Sequence, residues 1–319
     1  MKDTIRRLLK STIPGVIASI CCIVLSIVSA SFIFDFEKRD IYFIYLGVCI
    51  GASVVFVILA VNRKLFKTPT TLTLSLLGLP HSGKTVYLTV LFRELLIHGN
   101  LPGFSLYGEE TIERVQEDYK SLQLSHWLPA TDIMGSNVFY YRAIVNSTGM
   151  IPKPRYKLEI ADYAGEYLES ELVSNHSFLH RTKYFKYVLD SDIIFPIIDM
   201  EKFAKNGRDY VIEVEQSIVA AFDIIRQNKT SIGKCKTPVC LLFLKSDCIH
   251  STNSKEADIL KVFNNILSYF SRHYFNFEKF FVSAISPEPF DTNEVGWGKN
   301  LTPDNVIQPL EWALRVVRR

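Results

Sequence analysis

Residues 78–85 read Gly78-Leu79-Pro80-His81-Ser82-Gly83-Lys84-Thr85 and fit the spacing G-x-x-x-x-G-K-[ST]. These residue types at this spacing suit a ligand with several phosphate oxygens. The glycines let consecutive backbone N–H groups turn inward around the oxygens, and Lys84 reaches the outer phosphates. The Thr85 hydroxyl can ligate Mg2+, and a helix starting here points its positive end at the anion. Four fixed letters in eight arise by accident fairly often, so the flanks decide. Thr71–Leu77 is a short apolar run with β-branched Thr71 and Thr73, as expected of a buried strand. Val86, Val90, Leu91, Leu95 and Leu96 then keep helical spacing up to Gly99.

A second group of polar residues falls at the ends of other apolar runs. Asp162-Tyr-Ala-Gly165-Glu166 follows Tyr156–Ala161. An aspartate there can hold Mg2+ through water, and a glycine three residues on can present its N–H to a terminal phosphate. Alone, D-x-x-G carries almost nothing; behind a strand and downstream of a phosphate loop it gains weight. Thr131, in the stretch Trp127-Leu-Pro-Ala-Thr131, could supply a second Mg2+ ligand that senses the terminal phosphate, although threonine is common in ordinary loops. Lys245-Ser-Asp247 closes the run Val239–Leu244, and Ser283-Ala284 closes Phe280–Ser283. A plain surface turn is the alternative reading of Lys-x-Asp.

These residues need a scaffold that brings strand ends together. Asn137–Asn146 and Tyr156–Ala161 are separated only by a turn with Gly149 and two prolines, too short for a crossover, so they should pair antiparallel. Asp192–Asp199 reads as a buried strand in which Pro196 argues for a bulge or a strand end. Val239–Leu244 and Phe280–Ser283 follow as strands. Helical patterns cover Glu109–Leu124, Tyr167–Leu189 (a candidate mobile segment), Asp209–Gln227, Ala257–Phe270 and Asn305–Val317. One hairpin followed by alternating strands and helices predicts a three-layer α/β domain with a mostly parallel sheet. Ligands of such sheets sit beyond the carboxyl ends of the strands, where all these motifs fall.

Composition narrows the class. The net charge of +3 over 319 residues, with no basic stretch interleaved with aromatics, gives no support for a nucleic-acid partner. Cys21, Cys22, Cys49, Cys235, Cys240 and Cys248 form no C-x-x-C pair, which suggests neither a disulfide framework nor a zinc site. The chain's apolar excess is concentrated near its start. Residues 12–34 and 41–61 are free of charged side chains, and each is long enough to cross a bilayer as a helix. The short polar link 35–40 makes them a helical hairpin. The predicted organisation is therefore a membrane anchor with basic linker, 1–68, and a soluble domain, 69–319.

Lys2, Arg6, Arg7 and Lys10 before the hairpin, and Arg63, Lys64 and Lys67 after it, put both termini in the cytoplasm by the positive-inside bias. Gly47 and Gly51 form a G-x-x-x-G that could pack the spans together or support homo-oligomers, though small residues are common in membrane helices generally. The absence of charge within the spans argues against transport.

The ordered set of phosphate loop, Asp162-x-x-Gly165, Lys245-x-Asp247 and Ser283-Ala284 resembles the Ras-like P-loop GTPases of the translation-factor-related class. The resemblance implies GTP/GDP as ligand and Mg2+ as cofactor. Lys245 would lie on the purine, Asp247 would accept the guanine N1 and N2 hydrogens, and the Ser283–Ala284 backbone would contact O6. Trp127-x-Pro-x-Thr131, Asp162-x-x-Gly165-Glu166 and Val306-Ile-Gln-Pro309-Leu-Glu-Trp312 look like bacterial double-GTPase proteins. That likeness covers residues 70 to 319, not the hairpin, and implies a bacterial protein of a conflict or defence locus with a second GTPase or effector as partner; with the hairpin, the expected location is the inner membrane. The likeness also makes Thr131 the switch threonine, with Lys84 and Glu166 acting on the reaction itself. Two departures matter. Leu244 stands where an Asn or Thr usually braces the base site, which leaves relaxed base selectivity and an ATPase of the same fold open. Glu166 replaces the usual water-orienting glutamine. A carboxylate there can orient the attacking water or accept its proton, or its charge can slow turnover. A nucleotide-binding membrane scaffold with negligible hydrolysis is the third reading.

Overall fold

The computed structural model describes residues 70–99, 101, 103–124, 126–128, 139–146, 155–162, 183–230, 233–250, 256–285 and 301–317. Both apolar runs of the expected anchor, 12–34 and 41–61, lie outside the described residues. Among the described residues, no helix is long and apolar enough to cross a membrane.

The described residues open with β1 (Thr70–Leu77) and turn through residues 78–83 into α1 (Lys84–His98). The edge strand β2 (Ser105–Leu106) and helix α2 (Glu109–Gln123) precede the hairpin strands β3 (Phe139–Asn146) and β4 (Arg155–Asp162). Helix α3 (Lys183–Asp190) leads into β5 (Ile193–Asp199), followed by α4 (Met200–Asn206) and α5 (Arg208–Lys229). Next come β6 (Val239–Leu244), α6 (Asp247–His250), α7 (Glu256–Val262), α8 (Asn264–His273), β7 (Phe277–Val282) and α9 (Gln308–Val316).

Among the described residues, seven strands form one sheet in the order β2-β3-β4-β1-β5-β6-β7. From β4 to β7 every neighbouring pair is parallel, while β3 is antiparallel to both β4 and β2. The α/β fold class with its single hairpin is thus as the alternation predicts. All seven residues of β5 and all six of β6 are buried, which is why they read as unbroken apolar runs: helices cover both faces of a parallel sheet. On one face Leu91 and Phe92 of α1 pack with Val115 of α2 and Leu310 of α9. On the other, Phe222 of α5 meets Phe270 of α8 edge to face, with ring centroids 4.7 Å apart.

Three details differ from expectation. Pro196 makes neither a bulge nor a strand end. It sits inside β5, and the β5–β6 register resumes beyond it with no residue inserted, Ile194 opposite Val239 and Ile197 opposite Leu242. The omitted ladder bond falls on the β6 side: the Ile194 amide donates to the Pro238 carbonyl, so Pro196, two residues on, faces the same way. The β5–β6 pairing lapses at residues 195 and 196, while Leu77 of β1 still pairs with Pro196. The expected helix over 257–270 is broken at Phe263, whose ring is buried between Phe203 and Phe243. Of the expected helix over 167–189, residues 167–182 lie outside the described residues, and α3 is its last part.

Candidate functional site

The phosphate loop leaves β1 between strand neighbours that approach closely. A Cβ on Gly78 would stand 2.9 Å from Ile197 Cβ on β5 and 2.9 Å from Ser82 Oγ, so only glycine fits. His81 (φ 59°) and Gly83 (φ 84°) are both left-handed, which folds the loop back towards the first turn of α1. Gly83 is the N-cap of that helix, and no acidic residue occupies its first turn to compete with an anion. Lys84 is buried, and its ammonium donates to the Gly78 carbonyl (3.1 Å), the Leu79 carbonyl (2.9 Å) and Ser82 Oγ (3.3 Å). The cation is thereby held on the loop that presents Leu79, Pro80, His81 and Ser82.

Beside the loop, at the carboxyl end of β4, Asp162 is 1% exposed and accepts a hydrogen bond from the Thr85 hydroxyl, 3.0 Å from Oδ2. Burial raises its pKa; the Thr85 hydrogen bond and the positive charges of Lys84 and Arg114 pull the other way without cancelling it. Arg114 on α2 lies over the Phe139 ring, 4.5 Å from its centre, and Phe139 pairs with Asp162 across β3–β4. A buried carboxylate and a hydroxyl, both hard oxygen donors next to a phosphate loop, fit Mg2+, which takes few protein ligands and completes its shell with phosphates and water. Among the described residues there is no cluster of three or more acidic, histidine or cysteine side chains that would hold a metal without a ligand's help. The remaining candidates of this half, Thr131, Gly165 and Glu166, lie outside the described residues.

The other half of the site is built by β6 and β7. Lys245 follows β6 in a left-handed conformation (φ 59°) that turns its side chain back across the loop. A Cβ on Gly83 would touch Lys245 Cε at 3.6 Å. The Lys245 ammonium donates to Asp199 Oδ2 (2.8 Å), Glu201 Oε2 (2.8 Å) and the His81 carbonyl (3.3 Å). Burial alone would lower the pKa of this lysine, but the two carboxylates outweigh it and the net shift is upward. Asp247, two residues on, accepts from the Ser283 hydroxyl at 2.6 Å, which ties the end of β6 to the end of β7.

Between these groups lies a cavity of about 200 Å³. Val86, Leu244 and Ile285 give it apolar walls beside Ala284, the Trp127 indole lies at its edge, and Asp247 supplies an acceptor. The Cys248 thiol also lines it; burial, reinforced by the charge of Asp247, pushes its pKa up to about 11, so it is protonated and unreactive at neutral pH. Opening beside Gly83, the cavity adjoins the phosphate loop. The arrangement can therefore hold a flat, mostly apolar group carrying hydrogen-bond donors next to a phosphate chain.

Every described candidate (Gly78 to Thr85, Asp162, Lys245, Asp247, Ser283 and Ala284) thus falls at one end of the sheet. Asp199, Glu201 and Lys202 were not among the residues the sequence singled out. Asp199 caps α4, accepting from the Glu201 and Lys202 amides at 3.0 and 3.3 Å, and the Lys202 ammonium donates to the Pro80 carbonyl at 3.0 Å. Their signal was an aspartate closing an apolar strand and opening a helix, the position where sheets of this kind place ligand-binding residues.

No protein-family model and no curated protein sequence matches the chain. Among solved structures, it is similar to the Arl6 BBS3 small GTPase of Trypanosoma brucei, determined with the nucleotide analogue GppNp. The two share 14% identity over 78% of this chain and 99% of that one, with a TM-score of 0.42. It is also similar to nucleolar GTP-binding protein 1 of Plasmodium falciparum (15% identity, 79% of this chain and 89% of that one, TM-score 0.37). A third similar structure is translation elongation factor SelB of Methanococcus maripaludis with the GTP analogue GPPNHP (11% identity, 68% of this chain, TM-score 0.33), of which the chain spans 31%. Superpositions this loose leave the reading of the site to its own geometry.

Proposed function

We propose that the chain is a GTPase that works as a nucleotide-controlled switch. The observation that carries the reading is the pairing of two sites in one crevice. Lys245 reaches from the end of β6 to the phosphate loop, and Asp247, oriented by Ser283, stands in the adjoining cavity. In that reading the loop amides and Lys84 hold the phosphates, the Lys245 stem lies along the base, and Asp247 accepts its ring and amino hydrogens. Thr85 and Asp162 would hold Mg2+ with the phosphates, and the ion would neutralise charge developing on the transferred phosphoryl group. Gly165 would bond the terminal phosphate, Glu166 would orient water, and Thr131 would add a metal ligand. Loss of that phosphate would release the segments bearing Thr131 and Gly165, changing the surface shown to a partner.

The finer parts of the proposal are an anchor in the inner membrane through residues 12–34 and 41–61 with a cytoplasmic domain from residue 69, slow turnover without a partner, and a second GTPase or effector as that partner. Leu244 favours one rival, an ATPase, because it brings no polar atom to the base cavity. Competition binding separates the two: guanine nucleotides displaced by ATP at equal concentration support the ATPase. In either case Lys84→Ala should lose triphosphate affinity by tenfold or more, and a Lys84→Ala protein that binds GTP like the parent contradicts the site itself.

A further inference from the structure

The first turn of α4 touches both halves of the site, with Glu201 also lining the cavity. Its carboxylates hold Lys245: Asp199, fully buried, from one side and Glu201 from the other, each at 2.8 Å. Its Lys202 holds the phosphate loop at the Pro80 carbonyl, one residue before the His81 carbonyl that Lys245 itself meets. Asp199 further joins the two arms, because the carboxylate that accepts from Lys245 through Oδ2 accepts the Lys202 amide through Oδ1. Leu244 next to Lys245 is buried and apolar and offers the loop nothing to bond.

We infer that Glu201 and Lys202 are positioning residues of the nucleotide site: with Asp199 they form a charged strut that locks Lys245 and the phosphate loop in one register, so that base and phosphates are bound as a unit. The strut rests on the reading of the crevice as a nucleotide site and adds the residues that set its grip. Lys245 without Glu201 keeps its charge partner Asp199 but loses the contact that draws its ammonium towards the cavity rim. The loop without Lys202 keeps its glycines but loses its direct tie to α4. Neither side chain need touch the reacting atoms. Their effect falls on how long a nucleotide stays, and base choice remains with Asp247.

The test measures GDP affinity and GDP release in the presence of Mg2+, together with thermal midpoints, for the full-length parent and for Glu201→Gln, Lys202→Met and Lys202→Arg. The strut predicts that Glu201→Gln and Lys202→Met each release GDP about tenfold faster, a difference of about 1.4 kcal/mol. Their thermal midpoints and GDP-to-ATP preference should stay near the parent's, and Lys202→Arg should hold GDP as the parent does. If Glu201→Gln lowers the midpoint, Lys202→Met, altered at a half-exposed position, carries the test. Release at the parental rate from Lys202→Met overturns the strut while leaving the nucleotide reading intact. A parent that binds no GDP overturns both.

Discussion

Asp162 is the residue on which the proposed metal half of the site turns. A carboxyl whose pKa is raised on folding binds its proton more tightly in the native state than in the unfolded one. Native stability then falls as pH rises from the ordinary carboxylate value through the raised native value, and is flat above it. Asp162→Asn removes that penalty. Without metal, the variant should be more stable than the parent at neutral pH, the advantage fading as pH falls through the native value. With Mg2+ and nucleotide it should lose the metal's contribution to affinity. Thermal midpoints from about pH 4 to 8, with and without Mg2+, check both halves; midpoints that track the parent's at every pH would contradict the burial of a charged Asp162. Gly78 gives a second prediction at this scale. Its missing Cβ would stand 2.9 Å from the branched Ile197 Cβ, an atom fixed to the β5 backbone that cannot swing aside. Gly78→Ala should therefore cost about 1–3 kcal/mol of stability, read by denaturant unfolding, and a parental midpoint would show that β1 and β5 can part.

Among the elements, α4 is the one whose role depends on its cap. Asp199→Ala removes both the cap and a partner of Lys245, and should cost about 0.5–2 kcal/mol for the cap alone. Asp199→Asn keeps a capping oxygen and so should unfold later than the alanine variant; equal unfolding of the two would assign the loss to the ion pair instead. The same element shows what could be read from the chain. The phosphate loop was legible because its chemistry is local, with four defining letters, a strand before and a helix after. Asp162, Lys245 and Ser283 were legible because each directly closes an apolar run, and parallel strands deliver such residues to one end. Glu201 and Lys202 were not, since their partners lie 44 and 122 residues away and nothing local marks a surface glutamate or lysine as reaching them. The two-residue strand β2 is too short to have a period, and Pro196 misled because its missing N–H costs only a local gap in the β5–β6 ladder, which resumes at Ile197–Leu242 in the same register.

At the scale of the whole molecule, β1 is the first described element after the proposed anchor and linker in sequence, and the phosphate loop follows its last residue. From Thr70 to Leu77, seven intervals of about 3.3 Å make β1 roughly 23 Å long. The two-part organisation, 1–68 and 69–319, predicts that the full chain stays with membranes after an alkaline carbonate wash while residues 69–319 do not. It also predicts that the shorter piece keeps the GDP affinity of the whole. Full-length protein released by the wash would contradict the anchor, and loss of GDP binding by 69–319 would contradict an independent domain.

The central claim is that one crevice reads a guanine base and a phosphate chain together. Its most direct test is the affinity of the protein for GDP and for ATP in Mg2+, set beside an Asp247→Ala variant. The account predicts that GDP binds at least a hundredfold tighter than ATP, about 2.7 kcal/mol, and that Asp247→Ala erases most of that preference while still binding weakly through the phosphate loop. Equal affinity for ATP and GDP, unchanged by Asp247→Ala, would mean that Lys245-Ser246-Asp247 is only a turn and that the cavity beside it does not select guanine.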